Sequence, residues 1–514
     1  MLVGEFLENS AKRRPDKVAL VNHKKRVTYA HIENAANSLA NALIANGLHR
    51  QDRVAIYLEN SIESIVSIFG ILKASGIFVI INPQVKSRKL EYILNDCQVK
   101  ILITDSKHLE EVSWNTPDYP HPRGVMITDG CERGGFVLCD FKDAMRYPTI
   151  PPLNRSIDID LASLIYTSGS TGTPKGVVLT HLNMVSAANS IIEYLENTEE
   201  DIILDCLPLS FDYGLYQILM AFKFGGTVVL ERSFLYPYQI INTIIREKVT
   251  GFPIVPSIAA ILLKNRNLAD HDFSRLRYIT STSQVFPVKY IIQLQRTFPN
   301  VKIFSMYGLT ECKRVSYLPP EELSRRPSSV GKAMPNVETY LVNERGERIT
   351  NTGEIGELVV RGSNVMKEYW NLPEETKKKL RPGLYPGELD LFTGDLFRMD
   401  DENYLYFVAR KDDMIKTGGG LVSPKEVEDA LYEIDDVVEA GVLGVPDDIL
   451  GQAIKAVVTL RKESKLTKEE IIPLCSRRLE RYMVPKYVEI RRRLPRTPTG
   501  KVSVRISQER EGHE

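Results

Sequence analysis

The hydrophobic and polar positions of this chain alternate between two periods, and the alternation predicts strands separated by helices. Short apolar runs such as 53–57, 78–81 and 100–104 have the length and β-favouring residues of buried strands. Between them lie longer segments with helical spacing, such as 61–74. Connections of about ten or more residues favour parallel sheets with helices on both faces. We therefore expect an α/β fold for the first part of the chain.

The pattern changes after about residue 315. Segments 339–342 and 356–361 flank an Asn-Glu-Arg-Gly turn, which predicts hairpins and a small β-rich subdomain. Beyond Arg410, a charged stretch leads into about 100 residues that mix helix and strand patterns, enough for a small α+β domain. We expect a large N-terminal domain over 1–409, with parallel-rich αβα sheets, and a C-terminal domain over 410–514.

One glycine-rich stretch carries the clearest chemistry. Residues 166–176 read Tyr-Thr-Ser-Gly-Ser-Thr-Gly-Thr-Pro-Lys-Gly and follow an apolar strand. Glycines let backbone N–H groups turn towards an anion, hydroxyls add neutral donors, and a lysine adds a mobile charge. The stretch therefore predicts a polyphosphate cradle, made by Thr167, Ser168, Gly169, Ser170, Thr171, Gly172 and Lys175. A Walker loop is excluded because Pro174 precedes the lysine and Gly176 follows it. An exposed Ser/Gly-rich hairpin is the alternative.

Composition narrows the choice of partners. The 66 basic and 66 acidic residues give zero formal net charge, so nothing favours nucleic acid or anionic lipid. No segment approaches the ~20 apolar residues of a membrane span, and the N-terminus lacks a signal-peptide pattern. The six cysteines form no C-x-x-C pair and the eight histidines show no metal-ligand spacing. We expect a cytoplasmic protein without a membrane span.

Four motifs in order resemble the signatures of the adenylate-forming (ANL) superfamily. They are the stretch 166–176, Met-Tyr-Gly-Leu-Thr-Glu-Cys at 306–312, Thr-Gly-Asp at 393–395, and Pro-Arg-Thr-Pro-Thr-Gly-Lys at 495–501. That superfamily comprises acyl-CoA synthetases, adenylation domains of non-ribosomal peptide synthesis, and luciferases. The remaining segments look most like bacterial acyl-CoA ligases found beside exosortase genes.

The resemblance implies a set of nucleotide contacts. Glu311 would hold Mg²⁺, for which a carboxylate is a suitable hard ligand. Thr310 would donate to the α-phosphate and Tyr307 would stack on adenine, while Asp395 and Arg410 would contact the ribose. The residues expected to act directly in catalysis are Lys501, Thr171, Glu311 and Lys416.

The resemblance also implies a mobile C-terminal domain that rotates about a hinge at Asp412. Lys501 would reach over the α-phosphate in the first half-reaction, and Lys416 and Gly419 would line the thiol tunnel in the second.

The acyl pocket is expected around Phe211, Asp212, Ser283, Gln284 and Gly308. Thr282-Ser283 replaces a Gly-Gly pair of the superfamily, which would narrow or polarise the pocket. A buried carboxylate needs a partner, so Asp212 either meets a substrate amine or caps a helix.

The expected function is an AMP-forming carboxylate–CoA ligase, or one that loads a carrier protein. ATP, Mg²⁺ and coenzyme A, or a phosphopantetheine carrier, would be required, with a carboxylic or amino acid as substrate. Two alternatives remain open, a stand-alone amino-acid adenylation enzyme that loads a carrier protein and a non-catalytic nucleotide-binding protein.

Overall fold

A computed structural model describes most of the 514-residue chain. The described residues are 1–112, 121–130, 137–168, 173–265, 267–284, 286–417, 420–447 and 450–496. Within them the fold is α/β, as the sequence predicts.

Helices are numbered along the chain. They are α1 Glu5–Arg13, α2 Tyr29–Ala45, α3 Ile62–Lys73, α4 Ser87–Asp96, α5 Ser106–Leu109, α6 Phe141–Ala144, α7 His181–Tyr194, α8 Asp212–Phe224, α9 Pro237–Arg246, α10 Pro256–Leu262, α11 Val288–Thr297, α12 Pro373–Lys379, α13 Pro424–Tyr432 and α14 Lys468–Ser476. Within the described ranges, none of them combines the length and apolar character that crossing a bilayer requires.

Strands are numbered in the same way. In the first half they are β1 Val18–Asn22, β2 Lys25–Thr28, β3 Arg53–Tyr57, β4 Ile77–Ile80, β5 Ile101–Thr104, β6 Gly124–Ile127, β7 Val137–Asp140, β8 Leu161–Ser168, β9 Pro174–Thr180, β10 Ile202–Asp205, β11 Thr227–Leu230, β12 Gly251–Ile254, β13 Tyr278–Ser281 and β14 Lys302–Tyr307. In the second half they are β15 Ser316–Tyr317, β16 Lys332–Ala333, β17 Val337–Val342, β18 Ile355–Gly362, β19 Glu368–Tyr369, β20 Leu380–Pro382, β21 Leu389–Met399, β22 Leu405–Arg410, β23 Ile415–Thr417, β24 Gly420–Val422, β25 Val437–Asp447, β26 Gly451–Leu460 and β27 Tyr487–Ile490.

Two large sheets of parallel-rich strands form the first part of the molecule. One has the order β16-β15-β14-β13-β12-β10-β11-β1-β2, and the other has the order β19-β9-β8-β4-β3-β5-β6-β7. Pairing is parallel through the middle of each sheet, while antiparallel strands lie at its edges. Strands buried on both faces explain the continuous apolar runs of the sequence, as in β4 and β5.

The main hydrophobic core lies between these sheets and the helices that separate them. Nearly every residue of α3 and most of α8 are buried, which only an almost uniformly apolar helix tolerates. Phe69 of α3 stacks on Phe222 of α8 with ring centroids 5.1 Å apart. This packing fixes α8 and the first residues of that helix.

Two smaller sheets complete the described residues. The first is antiparallel, with order β17-β18-β21-β20 and β22 paired to β21, which agrees with the predicted hairpins. The second, β24-β23-β26-β25 with β27, packs with α13 and α14 around a separate core that includes Val427, Ile454 and Ile471. This second small sheet contacts the part of the molecule that holds the two large sheets, for example through a hydrogen bond from the Tyr290 hydroxyl to the Val438 carbonyl.

Candidate active site

Strands β8 and β9, which flank the central residues of the predicted phosphate cradle, form an antiparallel pair. β8 and β9 pair so that Tyr166 faces Gly176 and Thr167 faces Lys175. A Cβ on Gly176 would approach Tyr166 to 3.1 Å and Trp370 to 3.2 Å, so glycine permits this close packing. Part of the cradle lies outside the described residues, namely the side chain of Ser168 and all of Gly169, Ser170, Thr171 and Gly172.

Lys175 extends from this hairpin towards α12. Its ammonium nitrogen is 2.7 Å from Glu375 Oε2 and 5.6 Å from the centroid of the Tyr369 ring. Hydrogen bonds from Lys175 and Lys378 lower the pKa of Glu375 to about 2. The lysine predicted to meet phosphate therefore rests against a carboxylate that a nucleotide could displace.

Glu311 contacts the hydroxyl of the same tyrosine. The Tyr369 hydroxyl donates to Glu311 Oε1 at 2.5 Å, and the Glu311 carbonyl accepts from the Met366 N–H at 2.6 Å. Burial, together with the neighbouring Glu311 charge, raises the pKa of the Tyr369 hydroxyl. Thr310 directly precedes this carboxylate in the turn after β14. Tyr369 thus holds one carboxylate oxygen, and no side-chain hydrogen bond to the other is seen among the described residues.

Asp395 is held between two predicted nucleotide residues. Its Oδ2 accepts from the Tyr307 hydroxyl at 2.6 Å, and its Oδ1 is 3.4 Å from Arg410 Nε. Burial raises the pKa of Asp395, while Arg410 and the Tyr307 hydrogen bond oppose that rise. Strand pairing sets the arrangement, because Asp395 of β21 faces Arg410 of β22.

The structure therefore brings Lys175, Glu311, Tyr307, Asp395 and Arg410 into one cluster. Contacts through Tyr369 link Lys175 to Glu311, and the charge of Glu311 contributes to the raised pKa values of Asp395 and Arg410. Three elements that are distant in sequence supply these side chains: the β8–β9 hairpin, the end of β14 and the β21–β22 hairpin.

The expected acyl side of the site centres on the first turn of α8. Phe211 is the N-cap residue and makes no side-chain capping bond; its ring is 6.2 Å from that of Tyr213. Asp212 begins the helix and is buried. Lys313 Nζ lies 2.9 Å from the Asp212 carbonyl oxygen and 3.6 Å from its Oδ2. A cation of the chain itself therefore accompanies Asp212, a partner that neither sequence alternative included.

Lys313 is itself buried, and this burial is the main cause of the shift in its pKa. Removal from water lowers the pKa of Lys313 to about 7, although the nearby Asp212 carboxylate works against the shift. Tyr216 lies below the ammonium group, with its ring centroid 4.5 Å from Nζ. A lysine that changes charge near neutral pH is a feature that the sequence did not reveal.

The other predicted pocket residues lie at the ends of β13 and β14. A Cβ on Gly308 would approach the Lys313 carbonyl oxygen to 2.4 Å, so glycine is required at this crossing. Ser283 adopts φ of +90°, which is rare for a residue with a side chain, and Gln284 follows it. The hydroxyls of Ser281 and Ser283 are buried without a hydrogen-bond partner among the described residues.

Besides Lys313, three residues of this site were missed by sequence reasoning. Tyr369 and Glu375, which contact Glu311 and Lys175, stand in a segment without a recognised motif role. Arg314 is 2% exposed and lies over Tyr213, its guanidinium carbon 5.2 Å from the ring centroid. No sequence signal marked it, because arginine is usually exposed.

The structure describes only some of the site residues predicted in the C-terminal part. Asp412 belongs to a short 3₁₀ turn, Lys411–Asp413, directly after β22. Lys416 is exposed on β23, where its backbone N–H donates to Gln452 Oε1 at 2.9 Å. Gly419 and Lys501 lie outside the described residues.

Comparison with known proteins matches nearly the whole chain. The family model "AMP-binding enzyme" matches residues 7–370, and the model "AMP-binding enzyme C-terminal domain" matches residues 426–501. A long-chain-fatty-acid–CoA ligase of Bacillus subtilis (strain 168) is 34% identical over 542 aligned positions, covering 99% of this chain and 94% of that protein.

Solved structures show the same architecture. The anthranilate CoA ligase AuaEII in complex with anthranoyl-AMP superposes with a TM-score of 0.89 at 29% identity, covering 99% of this chain and 97% of that chain. O-succinylbenzoate coenzyme A synthetase from Bacillus subtilis, in complex with ATP and a magnesium ion, gives a TM-score of 0.83 at 28% identity, covering 98% and 99%.

Proposed function

Because this chain belongs to the family of AMP-binding enzymes, we infer that it is an AMP-forming acid–CoA ligase. The enzyme converts a small carboxylic acid and ATP to an acyl-adenylate and pyrophosphate, and then transfers the acyl group to the thiol of coenzyme A. The observation that carries this conclusion is the convergence of Lys175, Glu311 and Asp395 through Tyr369, Tyr307 and Arg410.

In the first step, a carboxylate oxygen attacks the α-phosphorus of ATP and pyrophosphate leaves. The carboxylate is already a nucleophile, so the protein has no need of a general base and contributes chiefly charge stabilisation and orientation. Lys175 offsets the negative charge of the phosphates once it leaves Glu375. We assign the ribose hydroxyls to Asp395, whose orientation Tyr307 and Arg410 fix.

Magnesium fits the chemistry of Glu311. Among the described residues no three His, Cys, Asp or Glu side chains cluster as a metal site. This agrees with Mg²⁺, which commonly uses one or two carboxylates together with substrate phosphates and waters. Glu311 would hold the ion through the oxygen that Tyr369 leaves open, and the bound ion would neutralise phosphate charge.

For the second step we propose a rotation of the C-terminal domain. The proposed units are 1–409 and 410–514 with the hinge at Asp412, which the 3₁₀ turn after β22 and the separate core around Val427 support. Lys501 would serve adenylation, whereas Lys416 and Gly419 would line the thiol path. Lys501→Ala should lower adenylation by about 10²-fold and spare thioester formation from supplied acyl-AMP. Equal loss in both half-reactions would contradict the rotation.

Other parts of the proposal concern the acid and the acceptor. Lys313 Nζ already lies 3.6 Å from Asp212 Oδ2, which supports an acid without an amine over an amino acid. A carrier protein as acceptor, the exosortase-associated subtype and a cytoplasmic location remain predictions from the sequence.

The direct test is ATP–pyrophosphate exchange with a panel of carboxylic and amino acids, followed by product analysis with and without coenzyme A. We expect exchange with at least one carboxylic acid and thioester formation only when a thiol is present. ATP binding without exchange for any acid would instead favour the non-catalytic alternative.

A further inference from the structure

Beside the expected acyl pocket, two nitrogens of a buried arginine have no hydrogen-bond acceptor among the described residues. Arg314 Nε and Nη1 are inaccessible to solvent and make no hydrogen bond within the described residues. A guanidinium group carries five donors and cannot lose its charge in a protein. Burial of such a charge is strongly unfavourable unless an acceptor compensates it. The arrangement is typical of a side chain whose acceptor is supplied from outside the protein.

The position of Arg314 is fixed by its backbone. Asn364 Nδ2 donates to the carbonyl oxygens of Arg314, at 3.0 Å, and Cys312, at 2.7 Å. The Val315 N–H donates to the Tyr307 carbonyl at 3.0 Å, which holds the segment against the end of β14. A Cβ on Gly308 would lie 2.9 Å from Arg314 Cα. Arg314 therefore adjoins the glycine that the sequence assigns to the acyl pocket.

The side chain of Arg314 points towards the two other elements of that pocket. Its guanidinium lies over Tyr213, in the first turn of α8. The Tyr213 hydroxyl contacts Thr280 in β13, 2.9 Å from the carbonyl oxygen and 2.6 Å from Oγ1. Phe211 precedes this turn of α8, and Ser283 follows β13. Arg314 thus lies where the three pocket-forming elements meet.

Within the part of the chain that the structure describes, no hydrogen-bonded counterion balances the charge of Arg314. Asp212, the nearest acidic neighbour of Lys313 in this cluster, is engaged by that lysine. Asp205 is fully buried, and burial raises its pKa well above the usual range, which favours the neutral acid. The unpartnered hydroxyls of Ser210, Ser281 and Ser283 add polar but uncharged groups.

We propose that the acyl pocket binds an acid with a second carboxylate, and that Arg314 recognises this second carboxylate. The proposal rests on the ligase function inferred above. One carboxylate of the substrate reacts with ATP, while the other accepts two parallel hydrogen bonds from the guanidinium fork. Substrate binding must therefore open the packing that closes Nε and Nη1 off from solvent in the ligand-free protein. An acid with an apolar end would leave the buried guanidinium unpaired, and sites built for hydrogen bonding reject such analogues strongly. Arg314 is therefore a specificity-determining residue.

The test compares matched acids on the full-length enzyme. Straight-chain α,ω-dicarboxylic acids are paired with monocarboxylic acids of the same carbon number, and aromatic diacids with the corresponding monoacids, in a pyrophosphate-release assay. For the best pair we expect kcat/KM to favour the diacid by about 10²-fold or more. Arg314→Met should remove that preference, mainly by loss of activity on the diacid. Arg314→Lys keeps the charge but not the fork, and should retain only part of the preference.

Two controls separate the Arg314 role from general damage. Arg275→Met makes the same change at an exposed arginine and should leave the diacid preference unaltered. The melting temperature Tm of the ligand-free Arg314→Met variant should equal or exceed that of the wild type, because an unpartnered buried charge is removed. If Arg314→Met does not fold, Arg314→Lys provides the comparison.

Ligand-induced changes in Tm distinguish failure of this proposal from failure of the ligase function. A diacid should raise the Tm of the wild type and not that of Arg314→Met, whether or not turnover occurs. If the enzyme turns over monoacids and Arg314→Met leaves the ratio of diacid to monoacid kcat/KM unchanged, the Arg314 assignment alone is overturned. Absence of pyrophosphate release with every acid would overturn the ligase function. Equal diacid effects on the Tm of both proteins would also overturn the Arg314 assignment.

Discussion

The nucleotide side and the acyl side of this site satisfy their charges in different ways. On the nucleotide side, Lys175 and Glu311 have partners, Glu375 and Tyr369, that a ligand can displace or share. On the acyl side, Lys313 is committed to Asp212 inside the core and Arg314 has no described acceptor. Replaceable partners suit a ligand that every member of a family binds. Fixed or missing partners suit one particular substrate.

The largest expected effect lies on the acyl side. Lys313→Met would leave the Asp212 carboxylate buried without its cation, which should lower the free energy of unfolding by about 3–5 kcal/mol. Denaturant unfolding should be measured at pH 6, where an amine of pKa about 7 is mostly protonated. The double variant Lys313→Met/Asp212→Asn should recover most of the loss. An unchanged unfolding midpoint in the single variant would show that the Lys313–Asp212 pair does not stabilise the folded protein.

A large catalytic effect is expected on the nucleotide side. Glu311→Gln removes the carboxylate proposed for Mg²⁺ but keeps an oxygen that can accept from Tyr369. Pyrophosphate release should fall by about 10²–10³-fold, the size found when one charge-stabilising group is lost. The ratio of activities on matched diacids and monoacids should stay constant. If Glu311→Gln changed that ratio, the nucleotide side and the acyl side would not act independently.

A smaller effect is expected on folding stability at low pH, through a histidine next to the nucleotide side. His181 begins α7 directly after β9, and its Nδ1 accepts a hydrogen bond from the Val3 N–H at 3.1 Å. Burial lowers the pKa of His181 from 6.5 to about 4. The unfolded chain therefore binds a proton before the folded protein does, and stability present above pH 6.5 is lost as the pH falls towards 4. The free energy of unfolding lost through this titration is at most about 3 kcal/mol.

Unfolding midpoints across this pH range would measure the contribution of His181. His181→Asn keeps an acceptor for Val3 and does not titrate, so its stability should depend less on pH between 6.5 and 4. An identical pH dependence in both proteins would assign the acid sensitivity to other groups.

The smallest effect is expected for the displaceable ion pair. Glu375→Gln should lower the KM for ATP by about two- to fivefold, because a partly exposed pair contributes about 0.2–1 kcal/mol. Added salt should reduce the difference between variant and wild type. Glu374→Gln, at a neighbouring carboxylate that pairs with Lys377, is the matched control. A rise in KM would mean that Glu375 positions Lys175 rather than competes for it.

Local sequence rules predicted much of the fold but not the acyl side. Thr28, a residue type that favours helix N-termini, caps α2 through its side chain, which accepts from the His31 N–H, and the apolar runs became parallel strands. By contrast, α11 begins after Pro287 without a side-chain cap, and the sequence reading did not identify it. The burial of Lys313 and Arg314 depends on α8, about a hundred positions earlier in the chain. No local pattern encodes such a contact.

The pairing of Lys175 with Glu375 has a consequence for α12. This short helix buries none of its own residues, and its ties include Lys175 to Glu375, Thr376 to the Tyr369 N–H, and Lys379 to the Thr393 carbonyl. A phosphate that takes Lys175 removes the first of these ties. The three successive lysines that end α12 would then become better sites for trypsin, so the cleavage rate there would report nucleotide occupancy without any turnover.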